Sequence, residues 1–260
     1  MRRILITGKD SYIGSNFKKY MEQFKEDYYV EELDVRDDCW KEFDFTSFDV
    51  VFHVAGLAHM KEKKENESLY FKINTELTYE IAKKAKQSKI RQFIFMSSMS
   101  VYGLNHSDKP INRDTIPNPN TYYGISKLNA ESLIKELEDD NFRLCILRPP
   151  MVYGEGSPGN LTKLFNLVKK VHIFPTLLNK RSSITVTCLV QFIKEYIDNR
   201  MNGTFFPQNN EYMCTVDIVK CQMKKENIRV IYTPVFNWLI KKCVGKISLI
   251  SKIFGNLIYE

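Results

Sequence analysis

Short runs of β-branched, aromatic and aliphatic residues alternate along the chain with longer stretches whose apolar positions recur every three or four residues. That alternation is the pattern of a parallel sheet wrapped by helices, an α/β fold. Strands are predicted at residues 4–7, 28–33, 50–54, 92–96 and 144–147, with a later one at 203–206. Helices are predicted over about 12–25, 67–88 and 121–138, and in the second Tyr70, Ile73, Leu77, Ile81 and Ala85 line one face. After Arg148-Pro149-Pro150 the alternation weakens and Pro and Gly become denser through Gly159, so a boundary is expected there.

Composition narrows the class. The chain has 260 residues, 43% hydrophobic and 27% charged, an ordinary globular balance that excludes wholesale disorder. No apolar run reaches the ~18 residues that cross a bilayer, and the N-terminus leads straight into a strand rather than a signal peptide. The six cysteines form no C-x-x-C pair and the four histidines are scattered, so neither a disulfide framework nor a metal site is indicated, and a reducing cytoplasm is expected. The net charge of +7 is local: residues 222–260 hold seven Lys and Arg against Glu226 and Glu260, which accounts for five of the seven charges.

The first predicted strand ends in Thr7-Gly8-Lys9-Asp10-Ser11-Tyr12-Ile13-Gly14 and enters a helix. A dinucleotide needs such a turn. The first Gly bends the chain, a small middle residue (here Ser11) lets backbone N–H groups approach the pyrophosphate, and Gly14 lets helix pack on strand. The helix N-terminus adds partial positive charge at the phosphates, next to Tyr12 and Ile13. Asp34 closes the second strand twenty residues beyond Gly14, where a carboxylate would bind the adenine ribose hydroxyls and favour NAD. Arg36 could instead reach a 2′-phosphate, so NADP stays open. These features predict a Rossmann-like, doubly wound parallel sheet over residues 1–150. A small substrate-binding portion would follow over 151–260, with the strand near 203–206 returning to the main sheet.

Tyr123 and Lys127 stand four residues apart in Thr121-Tyr122-Tyr123-Gly124-Ile125-Ser126-Lys127, on one face of a predicted helix. A free phenol is a poor base at neutral pH. An adjacent ammonium, joined by the positive ring of an oxidised nicotinamide, is expected to lower its pKa toward neutrality. Tyr122 has no lysine at that spacing. The fourth strand ends in Ser97-Ser98-Met99-Ser100, and in an open α/β sheet ligands bind at the carboxyl ends of strands. Ser98 is placed there to hydrogen-bond a substrate oxygen, with Ser97 and Ser100 as rivals.

With these motifs together, the chain resembles the extended short-chain dehydrogenases/reductases, in particular the NAD-dependent epimerase/dehydratase group that modifies nucleotide sugars. The resemblance also rests on Val51-Phe52-His53-Val54-Ala55-Gly56, Asn74 and Leu147-Arg148-Pro149-Pro150-Met151-Val152-Tyr153-Gly154. It implies that Ala55, Gly56 and Leu57 line the nicotinamide side with Asn74, that Ser98 is the catalytic serine, and that Tyr123 and Lys127 are the acid–base pair. It further implies that Asn160 and Arg181 contact the sugar diphosphate, and that the protein is a homodimer through helices near 67–88 and 121–138. The short stretch between the second and third strands departs from the family and points to a lost element.

Sugar 4,6-dehydratases of this family carry an acidic pair after the hydroxyl residue, where Met99 and Ser100 stand here, so water elimination is not expected. What remains is oxidation and reduction at sugar C4. A 4-epimerase of the UDP-glucose or UDP-N-acetylhexosamine type, holding NAD tightly and serving surface polysaccharide synthesis, is the leading expectation. A 4-ketoreductase of a nucleotide-linked 4-keto-6-deoxy sugar is the alternative, and a non-catalytic nucleotide sensor the second. Phe236, Leu239, Ile240, Cys243, Ile247, Ile250 and Phe254 recur at helical spacing among Lys241, Lys242, Lys246 and Lys252. Such a stretch either packs on the substrate-binding portion or lies peripherally on an anionic membrane. No nucleic-acid-binding motif appears.

Overall fold

The structure, a computed structural model, describes residues 1–58, 60 and 62–260, apart from the side chain of Asn160. The chain forms two compact units: Met1–Gly103, Pro117–Pro150 and Thr185–Pro207 make one; Leu104–Ile116, Met151–Ile184 and Gln208–Glu260 the other.

The first unit is built on a parallel sheet of β1 (Arg2–Thr7), β2 (Tyr28–Leu33), β3 (Val50–His53), β4 (Gln92–Met96), β5 (Arg143–Leu147) and a strand at Gly203–Phe205. Its order is β2-β1-β3-β4-β5 followed by Gly203–Phe205. The chain runs outward from β1 to β2 and then returns to the other side of β1 as β3, so the order reverses between β1 and β3. Loops leaving adjacent strands diverge at such a point and open a crevice at the strands' carboxyl ends. Register carries that edge across the sheet: Thr7 lies opposite both Leu33 and His53, and His53 opposite Phe95.

Helices cover both faces, as the fully buried β3 and β4 require. On one side α1 (Tyr12–Met21) places Phe17 edge-on to Phe52, with ring centroids 5.4 Å apart. On the other, Ile81, Ala82, Ala130 and Ile134 pack with Leu5, Val51, Phe93 and Phe95. Those residues come from α3 (Leu77–Gln87) and α4 (Tyr122–Lys135). Between β2 and β3, the short stretch in which a lost element is expected, the chain makes only a 3₁₀ turn at Asp38–Lys41, and Trp40, Phe45 and Phe48 join the core.

The predicted helix over 67–88 is not uniform. It begins as α2 (Glu67–Phe71), passes through a π-helical turn at Lys72–Glu76, and continues as α3. The extra residue of the π turn rotates the helix face. Tyr70, Ile81 and Ala85 are buried as expected, but Ile73 and Leu77 are only partly so, and Asn74, Thr75 and Thr78 take the buried positions. Hydrophobic spacing could not reveal this, because it assumes an unbroken 3.6-residue period.

A buried ion pair ties α4 to the end of β5. Arg148 donates through Nε to Glu131 Oε1 at 3.0 Å and through Nη2 to Oε2, and its Nη1 donates to Tyr102 Oη at 2.8 Å. Ser97 Oγ donates to the same carboxylate.

In the second unit α5 (Asn160–Val171) and, beyond α6 (Val186–Asp198) of the first unit, α7 (Thr215–Lys225) enclose Leu164, Val168, Phe174, Val216, Val219 and Met223. The strand at Ile173–Pro175 pairs in parallel with Ile231–Thr233. The basic stretch is not one amphipathic helix: α8 (Asn237–Cys243) and α9 (Ser248–Phe254) are separated at Gly245, whose φ is +85°. Only part of its apolar stripe packs inward, with Ile253 and Phe254 against the core. No helix among the described residues is long and apolar enough to cross a membrane.

Removing one member of the buried pair leaves the other charge unpaired. Arg148→Met should lower unfolding stability by about 3–5 kcal/mol, and Glu131→Leu in the same chain should restore most of it. Urea midpoints of the single and double variants check this.

Candidate active site

The turn after β1 is shaped by contacts that leave no room for side chains. Gly8 has φ +128°, and a Cβ there would fall 2.7 Å from the Ala55 backbone nitrogen. The neighbouring backbones are locked together, since the amides of Val54 and Ala55 both donate to Thr7 O, at 3.0 and 2.9 Å. Ser11 caps α1 by accepting from Gly14 N at 3.2 Å, and the intrahelical ladder starts with Ser15 N donating to Ser11 O at 2.9 Å. The amides of Tyr12 and Ile13 therefore belong to the first turn, where the helix end presents N–H groups to an anion. Gly14 sits where helix meets strand, and a Cβ there would lie 3.1 Å from Ile6 Cγ2.

At the end of β2, Asp34 and Arg36 hold each other. Arg36 Nε lies 2.9 Å from both carboxylate oxygens of Asp34, Nη2 also contacts one of them, and Arg36 N donates to Oδ1 at 3.0 Å. The Arg36 guanidinium holds the Asp34 carboxyl at about 2. Two residues that sequence sets in opposition, one for a ribose hydroxyl and one for a phosphate, are here one neutralised pair.

The segment after β3 is clamped by Asn74. Its Oδ1 accepts from Leu57 N at 2.7 Å, and its Nδ2 donates to Leu57 O at 3.1 Å and to Ser126 Oγ at 3.0 Å. Gly56 is pressed between: a Cβ would meet Lys127 Nζ at 3.0 Å and Asn74 Oδ1 at 3.1 Å.

The Asn74 turn is itself anchored by a buried polar chain. Thr78 Oγ1 donates to Asn74 O at 2.8 Å, His53 Nε2 lies 3.0 Å from Thr78 Oγ1, and His53 Nδ1 lies 2.7 Å from Thr7 Oγ1. One proton assignment satisfies every group: Thr7 donates to Nδ1, Nε2–H donates to Thr78, and Thr78 donates to the carbonyl. Only a neutral imidazole fits it. Burial, and then the charge of Lys127, hold His53 at about 3. In the sequence His53, Thr7 and Ser126 stand out only as members of motifs and Thr78 not at all, since threonine and serine in such positions carry no distinctive spacing.

At the end of β4 the three candidate serines separate. Ser97 is buried and turned to Glu131, a structural position. Ser98 caps the following 3₁₀ turn, accepting from Ser100 N at 3.1 Å and donating to Ser100 Oγ at 3.2 Å, and its side chain is near enough to the Tyr123 phenol to pull that group's pKa down. Thr121 caps α4 by accepting from Gly124 N at 3.1 Å, and Glu62 Oε1 accepts from Tyr123 N at 3.0 Å. A carboxylate there is favoured by the helix N-terminus.

Lys127 behaves differently from the expectation. Its Nζ is buried, donates to Met96 O at 2.9 Å and lies 4.7 Å from the centre of the Phe95 ring. Burial lowers it to about 7, against the pull of Glu131 one turn on. The Tyr123 phenol is raised, not lowered: burial dominates, the nearby Ser98 side chain partly offsets it, and Tyr70 adds to the rise. The predicted lowering by an ammonium is thus absent in the protein alone, because the same desolvation that raises the phenol weakens the lysine's charge.

Asn160 and Arg181 belong to the second unit. The Asn160 side chain lies outside the described residues. Arg181 Nη1 donates to the carbonyls of Asn105, Ser251 and Gly255, at 3.2, 3.3 and 2.7 Å, and burial lowers its pKa to about 10. Three backbone carbonyls of the second unit thus hold Nη1. Among the described residues no group of three or more His, Cys, Asp or Glu side chains could hold a metal ion.

A glycine turn at a sheet's switch point, with a Ser–Tyr–Lys constellation at a neighbouring strand end, is an arrangement able to hold a dinucleotide beside a phenol. Residues 4–199 match the model of the NAD dependent epimerase/dehydratase family. The chain belongs to that family. It is an NAD(P)-dependent enzyme of nucleotide-sugar epimerisation or reduction, and the close approach of Gly8 to Ala55 and the Asn74 clamp on Leu57 fit the dinucleotide. This family member is 29% identical to a UDP-glucose 4-epimerase of Vibrio cholerae over 284 residues, covering 98% of this chain and 86% of the relative. It is also 29% identical over 178 residues to the N-acetyl-alpha-D-glucosaminyl-diphospho-ditrans,octacis-undecaprenol 4-epimerase of Escherichia coli O157:H7, covering 65% of this chain and 52% of that one. The fold matches that of UDP-glucuronic acid 4-epimerase from Bacillus cereus in complex with NAD. That match has a TM-score of 0.74 at 20% identity and covers 89% of this chain and 88% of that one.

Two outcomes follow. With the folded His53 at about 3, the unfolded chain binds the extra proton first as pH falls below its ordinary value, so this group's stabilisation is lost on acidification. Between pH 7 and pH 5 the loss is roughly 2 kcal/mol. His53→Gln should flatten the acid limb by about that amount in urea titrations. Asp34→Ala should release Arg36 and move cofactor preference toward NADP, read as the ratio of dissociation constants for NAD and NADP.

Proposed function

We propose that the protein is a nucleotide-sugar 4-epimerase acting on a UDP-linked hexose or N-acetylhexosamine, with NAD held through the catalytic cycle. The observation that carries this reading is the meeting of Ser98, Tyr123 and Lys127 at the carboxyl end of β4, where the Ser98 side chain acts on the Tyr123 phenol and the buried Lys127 Nζ donates to Met96 O at 2.9 Å. Bound NAD supplies the acceptor and donor of hydride for sugar C4. Tyr123 takes the proton of the 4-hydroxyl, and Ser98 holds the same oxygen as it becomes a carbonyl. Lys127, fixed by Met96 O, adds positive charge near the phenolate to the extent that it is protonated. When the ketone has turned over, Tyr123 returns the proton to the opposite epimer. Met99 and Ser100, which follow Ser98, offer no carboxyl group for eliminating water.

The relative from Escherichia coli O157:H7 favours a second substrate reading, a sugar on a polyprenyl diphosphate carrier. The reacting ring and its chemistry at C4 are the same in both.

Purified protein should carry NAD by mass spectrometry. It should also interconvert the C4 epimers of UDP-glucose or UDP-N-acetylglucosamine by NMR without net cofactor consumption. Tyr123→Phe should lower kcat by about 10²–10⁴-fold. Stoichiometric NADPH consumption with a 4-keto-6-deoxy sugar nucleotide would replace the epimerase with a reductase. Unchanged turnover by Tyr123→Phe would remove the assigned acid–base group.

A further inference from the structure

The second unit carries a surface that neither its core nor the acid–base chemistry uses. α8 buries none of its residues. Val235 is 66% exposed, Trp238 62% and Leu249 67%, and Phe236, Leu239 and Ile247 are also open. A cluster of tryptophan, phenylalanine and leucine standing out of a polar surface marks an interaction site.

The charge around it is one-sided. From Asn227 to Tyr259 there is no acidic residue, while Arg229, Lys241, Lys242, Lys246 and Lys252 are all exposed. Glu226, at the border, is engaged by Lys169 at 2.5 Å. Lys242 Nζ lies 5.0 Å from the centre of the Trp238 ring, so ammonium and indole occupy the same spot. Two copies of this chain meeting through the face would bring unpaired lysines together, a costly arrangement. A bilayer with anionic headgroups takes both parts at once: the rings and aliphatic chains enter the headgroup boundary, and the lysines reach the phosphates.

We propose that α8 and its flanks, residues 235–249, dock the protein peripherally on an anionic lipid bilayer. The attachment depends on the apolar residues and the lysines together, and salt weakens it. It does not depend on which sugar the active site takes.

Trp238 makes the test direct, because the other tryptophan, Trp40, is buried at 3% exposure and should be silent. The full chain is mixed with vesicles of phosphatidylglycerol and phosphatidylcholine, and with vesicles of phosphatidylcholine alone. Binding by co-sedimentation should be at least tenfold stronger to the anionic vesicles, with a blue shift of tryptophan emission that Trp238→Phe abolishes. Phe236→Ser/Trp238→Ser/Leu239→Ser, and separately Lys241→Glu/Lys242→Glu/Lys246→Glu, should each weaken binding tenfold or more at unchanged thermal melting. Equal binding to both vesicle types, or variants that bind like the parent, would overturn the proposal. So would a parent that ignores vesicles but is a dimer in gel filtration, with the triple-serine variant a monomer.

Discussion

The geometry of the first unit's strand ends depends on one buried amide. Asn74 reads both the N–H and the C=O of Leu57 and reaches Ser126 on α4, so a single side chain fixes the loop after β3 to the helix that carries Tyr123 and Lys127. Such a group in a dry interior is tolerable only when every polar atom is satisfied. The π turn brings Asn74 inward, and Thr78, His53 and Thr7 hold the turn against the ends of β3 and β1. The glycine turn, the loop beyond β3 and the acid–base helix are thereby parts of one hydrogen-bonded frame.

The same dryness sets the electrostatics. Low-dielectric surroundings raise the phenol of Tyr123 and lower the ammonium of Lys127, so both lean toward their neutral forms at physiological pH. Glu131 sits between two cations, bonded to Arg148 and one turn from Lys127. Arg148 claims the carboxylate bidentately, which leaves Lys127 only its residual attraction. In the proposed mechanism, additional positive charge at the site would tip Tyr123 toward the phenolate.

Much of this was legible in the sequence. The strand runs, the Gly8–Gly14 turn and the Tyr123–Lys127 spacing are local patterns, and each marks an element that local geometry dictates. What hydrophobic period cannot carry is the position of a π turn, so Ile73 and Leu77 were expected where Asn74 and Thr78 are buried. The choice of Ser98 over Ser97 needed the Glu131–Arg148 pair, whose members are seventeen residues apart and meet only through the fold. Arg181 was placed at the sugar diphosphate by family resemblance alone. Its three carbonyl partners come from residues seventy or more positions away, which local sequence cannot show.

The account rests on Tyr123 becoming an accessible base when the dinucleotide is present. Ultraviolet difference titration of the tyrosines, with and without saturating NAD, tests this directly. With NAD, one phenol should ionise at a distinctly lower pH than in the protein alone, and that transition should be missing from Tyr123→Phe. Tyrosine titrations that are the same with and without NAD would contradict it.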